Sequence, residues 1–109
     1  MSVLPVRWAS PELLETRHVS KKSDVYAFGV TCWEILRDGE LPFPTFTLKA
    51  LIEHITKRRD IPLKIEETWP PLMKDLIAGC LQFEFAERWG IRKAFEVVKS
   101  AEKDMVTKI

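Results

Sequence analysis

The chain has 109 residues, 46% apolar and 30% charged, with a formal net charge of +1 and a pI near 7.8. Those proportions are globular and exclude a disordered or fibrous chain. The near-neutral charge removes the electrostatic ground for nucleic acid or an anionic membrane as the main partner.

A chain of this size has room for one core, so a single domain over residues 1–109 is expected. Residues 1–9 carry Pro5 and no lasting periodicity, and they read as an extended loop. Ser10-Pro11-Glu12 then has the signature of a helix start: a hydroxyl N-cap, proline in the first turn and an acid at the positive end of the dipole. Leu13 and Leu14 anchor this short helix, which stops before the polar run Thr16 to Lys22. A second start falls at Ser23-Asp24. It leads into an apolar helix to Leu36 in which Val25, Phe28, Cys32, Ile35 and Leu36 follow the i, i+3, i+4, i+7 rule. Tyr26, Val30 and Trp33 make its opposite face apolar as well, so it is expected to be the buried central axis.

Gly39 suits the end of that helix, and Pro42 and Pro44 mark a loop. Thr47 can cap a third helix through about Arg58, with Leu48, Leu51, Ile52 and Ile55 on one stripe. Residues 60–68 form a connector around Pro62. Pro70-Pro71 open a fourth helix with Leu72, Leu76, Ile77, Cys80 and Leu81 facing inward. After a turn from Glu84 to Gly90, a last helix runs from about Ile91 to Met105, with Ile91, Phe95, Val98, Ala101 and Met105 on its apolar side. The predicted fold class is all-α, about five helices around a central buried one.

The Val25 to Leu36 stretch is too short to cross a bilayer and contains Glu34, and the first residues lack the apolar core of a signal peptide. The expected chain is soluble and cytoplasmic. Cys32 and Cys80 sit in apolar helical patterns outside any Cys-x-x-Cys pair and read as buried, reduced residues. With His18 and His54 they lack the spacing of a zinc site, so no metal is expected. Lys57-Arg58-Arg59, beside Glu53 and Asp60, is a solvated helix end before it is a phosphate contact. Trp69 ahead of Pro70-Pro71 fits a core or staple role better than a binding one.

Three strings carry more than composition. Leu4-Pro5-Val6-Arg7-Trp8-Ala9-Ser10-Pro11-Glu12 resembles the segment closing the activation region of protein tyrosine kinases. Ser23-Asp24-Val25-Tyr26-Ala27-Phe28-Gly29-Val30 resembles the start of their central helix, continued by Trp33-Glu34-Ile35-Leu36, Gly39 and Leu41-Pro42-Phe43. Cys80-Leu81 and Glu87-Arg88 match the pattern ahead of the last helix, although Trp89-Gly90-Ile91 stands where the family usually has a proline and then an aromatic. The resemblance covers about residues 3–100. It implies the helical C-terminal half of a protein-kinase large lobe, with residues 1–9 ending the activation region and 10–109 forming a helical scaffold.

Taken alone, Glu12 and Arg88 are two charges that water can solvate. The resemblance makes them partners in a buried ion pair, for which the arginine fork is well shaped. Asp24 is by position an acid in a first helical turn; the resemblance has it accept backbone N–H bonds from a catalytic loop that this sequence does not contain. Pro5, Val6, Arg7 and Trp8 are either a plain loop anchored by Trp8 or, by resemblance, the platform that receives the substrate residue after the phosphorylated tyrosine.

Phosphoryl transfer in kinases needs a glycine-rich loop, a strand lysine, a catalytic aspartate with its asparagine, and a metal-binding aspartate. The glycines here are Gly29, Gly39, Gly79 and Gly90, and neither His-Arg-Asp nor Asp-Phe-Gly occurs. The chain alone is therefore expected to bind no cofactor and to contribute no catalytic residue; ATP and Mg²⁺ would belong to the parent domain, which phosphorylates protein tyrosine. A protein partner is expected, either a second copy in a homo-oligomer such as a dimer, or the missing kinase half, because the central helix lacks neighbours the family supplies. The alternative is a kinase-derived helical interaction module.

Overall fold

The computed structural model describes residues 5–107, with side chains described through Lys103. Residues 1–4 of the expected N-terminal loop, and the side chain of Met105, lie outside the described residues. A 3-10 turn at Val6–Trp8 precedes five helices: α1 (Pro11–Thr16), α2 (Lys21–Leu36), α3 (Leu48–Lys57), α4 (Pro71–Cys80) and α5 (Ile91–Thr107). No strand forms among the described residues. The fold is all-α and built on α2, in line with the fold class expected from the sequence.

Local chemistry sets the helix boundaries. Ser10 caps α1 by accepting from the Leu13 N–H, and Thr47 caps α3 by accepting from Ala50. The start of α2 lies upstream of the expected Ser23-Asp24. Ser20 and Ser23 form a reciprocal capping box: the Ser20 hydroxyl accepts from the Ser23 N–H at 3.1 Å, and the Ser23 hydroxyl accepts from the Ser20 N–H at 2.8 Å. Two donors are satisfied at once, so the helix begins at Lys21. At the other end the Gly39 N–H reaches back to the Glu34 carbonyl at 2.8 Å, with Asp38 and Gly39 both at positive φ. That is a Schellman closure, and it is what the glycine supplies.

Helix α2 packs against α4, α5 and the Val6–Trp8 turn; α1 packs on α3. The core joins Val25, Tyr26, Val30, Cys32 and Trp33 of α2 to Leu51 and Ile55 of α3 and Leu76, Ile77 and Cys80 of α4. Helix α2 buries the face through Tyr26, Val30 and Trp33 and also Val25 and Cys32 of the expected stripe. Phe28 and Ile35, expected inside, point outward at 37% and 69% exposed.

The same correction applies twice more. Leu48 is exposed at the head of α3, and Ile91 and Phe95 are exposed on α5, which turns inward Ala94 together with the expected Ala101 and packs the expected Val98 against the core. A helix carrying apolar residues on two faces offers no periodic signal for choosing between them, and on α5 small alanines permit the close approach that large side chains would block. The 60–68 connector is part of the core: Leu63 is buried, Ile61 and Ile65 pack beside it, and the Trp33 indole N–H donates to the Lys64 carbonyl at 2.8 Å. Trp69 also packs against the core.

Close approach of α2 to α4 rests on Gly29. A Cβ there would lie 2.6 Å from the Cβ of Cys80. At Gly79 a Cβ would sit 2.1 Å from the Trp89 ring, whose backbone N–H also bonds the Gly79 carbonyl at 3.0 Å. Neither position has room for a side chain.

Candidate functional site

Arg88 comes from the turn before α5 and is buried, its side chain fully enclosed. Its five N–H donors all find acceptors. Nε donates to the Gln82 carbonyl at 3.0 Å; Nη1 donates to Glu12 Oε2 at 2.8 Å and to the Lys22 carbonyl at 3.1 Å; Nη2 donates to Glu12 Oε1 at 2.8 Å and to the Phe83 carbonyl at 3.3 Å. The guanidinium also lies over the Tyr26 ring, 5.1 Å from its centroid. The two residues sit 76 positions apart in sequence, and the bidentate geometry ties α1 to α2 and to the turn ahead of α5 in one place.

The neighbours complete this clamp. Ser10 Oγ donates to Glu12 Oε2 at 2.7 Å, so the α1 cap also orients the carboxylate. Lys22 reciprocates Arg88: its ammonium bonds the Arg88 carbonyl and, at 3.0 Å, the Phe85 carbonyl, while its own carbonyl serves the guanidinium. Partial burial pushes the Glu12 carboxyl up, but the hydrogen bonds from Arg88 and Ser10 outweigh it and hold the group below its ordinary range. Burial pushes the Tyr26 phenol well above its usual value, so it stays neutral.

The Val6–Trp8 turn lies against α2 and α3. It is not the extended loop expected around Pro5: the Trp8 N–H bonds the Pro5 carbonyl at 3.0 Å and the Ala9 N–H bonds that of Val6 at 3.2 Å, which coils the segment. Two side chains fasten it. Arg7 Nε donates to the Pro42 carbonyl at 3.1 Å, and the Trp8 indole N–H donates to Glu34 Oε1 at 2.5 Å. Behind Pro42, Phe43 is buried at positive φ and packs edge-on against Phe46 and His54.

Asp24 lies apart from both groups. It is exposed, and among the described residues no side-chain hydrogen bond or ion pair reaches its carboxylate. At helical spacing it shares the outward face of α2 with Phe28, Thr31 and Ile35, all exposed.

Sequence reasoning passed over Ser10 as a carboxylate donor, Lys22, Tyr26 and Glu34. Lys22 and Tyr26 are visible only once α2 and the pre-α5 turn meet, whereas the Ser10 bond to Glu12 is local, two residues on. Glu34 had a local signal, a carboxylate on an otherwise apolar helix. Of the Lys57-Arg58-Arg59 run, the two arginines pair with protein groups: Arg58 with Asp60, and Arg59 with Glu84 at 2.6 Å.

Among the described residues no three His, Cys, Asp or Glu side chains gather where they could hold a metal ion. Nor is any helix among the described residues long and apolar enough to cross a membrane.

Comparison with known proteins gives the family. The model for the protein tyrosine and serine/threonine kinase family matches residues 1–98. Among curated proteins, the chain is 37% identical over 97 residues to a megakaryocyte-associated tyrosine-protein kinase from Mus musculus, covering 87% of this chain and 18% of that one. It is 32% identical over 102 residues to an NT-3 growth factor receptor from Gallus gallus, covering 94% of this chain and 12% of the receptor. The chain belongs to the protein tyrosine and serine/threonine kinase family, and a tyrosine-protein kinase is among its relatives. It spans less than a fifth of the length of these two relatives.

Proposed function

We propose that the chain serves as the C-terminal scaffold of a tyrosine-kinase large lobe, presenting the Val6–Trp8 turn as a platform for a substrate peptide without performing catalysis itself. The parent domain would carry ATP and Mg²⁺ and move the phosphoryl group to protein tyrosine. The Glu12–Arg88 clamp is the structural ion pair in this reading: it anchors α1, and with it the segment just ahead, to the body of the scaffold. A coiled segment fastened at two points has little conformational freedom left to lose when a peptide binds.

The observation that carries this reading is the outward face of α2. Asp24, Phe28 and Ile35 stand in one exposed line on the helix that otherwise organises the core. An acid heading an apolar stripe is suited to receive backbone N–H groups and apolar side chains from the preceding half of a large lobe, and Asp24 is then the anchor of the central helix. The reducing environment implied by two buried, free cysteines fits a cytoplasmic kinase.

Co-expression tests it. With the small lobe and first half of the large lobe of a related tyrosine kinase, the chain forms a one-to-one complex that phosphorylates tyrosine, and Phe28→Asp abolishes assembly while the chain stays helical. Binding of ATP with Mg²⁺ by the chain alone, measured calorimetrically, would overturn the assignment.

The same exposed stripe supports a second reading, an interaction module that covers Phe28 and Ile35 with a second copy of itself. Light scattering at micromolar concentration distinguishes the two: a folded monomer removes the self-associating module, and a dimer dispersed by Phe28→Asp supports it.

A further inference from the structure

We infer that His54 is a proton-operated latch on the loop after α2: as a neutral ring it keeps Phe43 in a left-handed backbone conformation and the Pro42 carbonyl on Arg7, and as a cation it releases both. Phe43 has a φ of 53°, in the left-handed region that a bulky side chain rarely occupies. Such a conformation persists only where the surroundings over-determine it. Here the ring is buried and wedged edge-on by two others, Phe46 at 5.6 Å and His54 of α3 at 5.8 Å between centroids. His54 also leans on Phe46, 4.9 Å away, so one imidazole braces both phenyl rings. Residues 42 and 43 share a rigid peptide plane. The φ of Phe43 therefore sets where the Pro42 carbonyl points, and it points at Arg7 Nε, 3.1 Å away. Relaxation of Phe43 to negative φ turns that plane, and the Val6–Trp8 turn loses this tie.

The charge on His54 is governed from the far end of α3. Arg58 Nη1 lies 3.3 Å from His54 Nε2. A guanidinium only donates, so Nε2 accepts and the ring proton sits on Nδ1. Arg58 is not free to swing away, because its Nε and Nη2 hold the two carboxylate oxygens of Asp60. Protonation sets a second N–H and a positive charge against that fixed guanidinium, beside phenyl rings that offer no acceptor. Burial first and Arg58 second hold the imidazole below its ordinary value, against a weaker upward pull from Asp60. Of the other charges on the elements packed against α3, Arg7 is tied to Pro42 and Glu12 to Arg88, while Arg37 and Glu40 pair with each other. Glu15 of α1 and Lys49, Glu53 and Lys57 of α3 are exposed to solvent. The latch is therefore closed at neutral pH and opens in acid. A base held below its unfolded value of about 6.5 contributes stability that is complete above that value and is lost as the pH falls through the lower, folded one.

The experiment follows by NMR, on the full chain between about pH 8 and about pH 5, the His54 imidazole, the Arg7 Nε–H and the Phe43 amide. The imidazole titrates below about 6.5, and the other two resonances move with its midpoint, the Arg7 Nε–H towards its unbonded position. His54→Phe keeps a ring that cannot titrate, and both reporters then hold their neutral-pH positions throughout. Arg58→Met removes the neighbouring charge, and the three midpoints rise together. Reporters that stay still while His54 titrates, or that move unchanged in His54→Phe, overturn the latch. If His54→Phe fails to fold, Arg58→Met still decides: a reporter midpoint that parts from that of the imidazole overturns it. The effect on a bound peptide rests on the platform reading and is measured apart from the latch. In fluorescence anisotropy with a labelled tyrosine peptide, the wild-type affinity falls at least about threefold from about pH 7.5 to about pH 5.5, and that of His54→Phe does not. A steady wild-type affinity overturns the link from latch to platform. A chain that binds no peptide at either pH overturns the platform reading and leaves the latch standing.

Discussion

Lysine at position 88 would keep the charge of Arg88 and lose the shape. The guanidinium spends five donors on four residues, two of them on the paired oxygens of Glu12; an ammonium has three donors and no fork. Arg88→Ala leaves a partly buried carboxylate and three carbonyls without their donor, and it should cost about 3–5 kcal/mol. Arg88→Lys should recover only a minor share, as read from denaturant midpoints. The clamp also gives stability a pH dependence whose sign is fixed. Folded Glu12 titrates below its unfolded value, which is about 4.3. The stabilisation is complete above that value and is lost as the pH falls through the lower, folded one. The Glu12→Gln variant should therefore lack this part of the acid limb that the wild-type curve shows below about pH 4.3.

At the scale of single elements, the two helical glycines answer differently to the same substitution. Alanine is the better helix former by about 1 kcal/mol, so an unobstructed Gly→Ala change would stabilise. Gly29→Ala sets a new methyl 2.6 Å from the Cys80 Cβ, close to the α4 backbone. Two helices must move apart, and a net loss of about 1–3 kcal/mol is expected in thermal melts. Gly79→Ala collides with the Trp89 ring, which is half-buried and can swing outward. The expected signature there is a changed near-ultraviolet dichroism with a smaller loss of stability.

Helix existence and caps were legible in the sequence wherever one residue carried the signal, as at Ser10, Thr47 and Pro70-Pro71. The boundary failed at Ser20, where the cap is made by two serines cooperating, and a cap at Ser23 looks equally good in isolation. The faces were only half right on α2 and α5: Val25, Cys32 and Ala101 are buried as expected, whereas Phe28, Ile35, Ile91 and Phe95 are exposed. Phe28, Ile35 and Phe95 are as hydrophobic as the residues buried instead of them, so only the packing partners decide which side turns inward. The Glu12–Arg88 meeting is beyond any local pattern, and its expectation came from family resemblance. Glu34 shows the reverse case: the residue was conspicuous, but its partner Trp8 sits on another element.

For the molecule as a whole, the core closes over both thiols. Burial pushes Cys32 up to about 11 and Cys80 up to about 12, the latter helped by its neighbour Cys32. Both stay protonated at neutral pH and unreactive. Alkylation of the native chain should proceed only through opening of the α2–α4 contact, with the two cysteines modified together and the rate rising as denaturant lowers the opening free energy. Gly29→Ala, which strains that contact, should accelerate it several-fold.

The separation of 76 residues between Glu12 and Arg88 also orders events in time. Synthesis delivers α1 ahead of the turn that carries Arg88, and its carboxylate waits while α2, α3 and α4 are threaded behind it. Until the turn ahead of α5 has left the ribosome, the acid at position 12 has no cation to meet. A nascent chain arrested short of that turn therefore holds its first helix unlocked and its Val6–Trp8 segment unsupported. Closing so wide a loop is entropically costly and belongs late in folding, so α1 is secured only after the helices that separate it from that turn have formed.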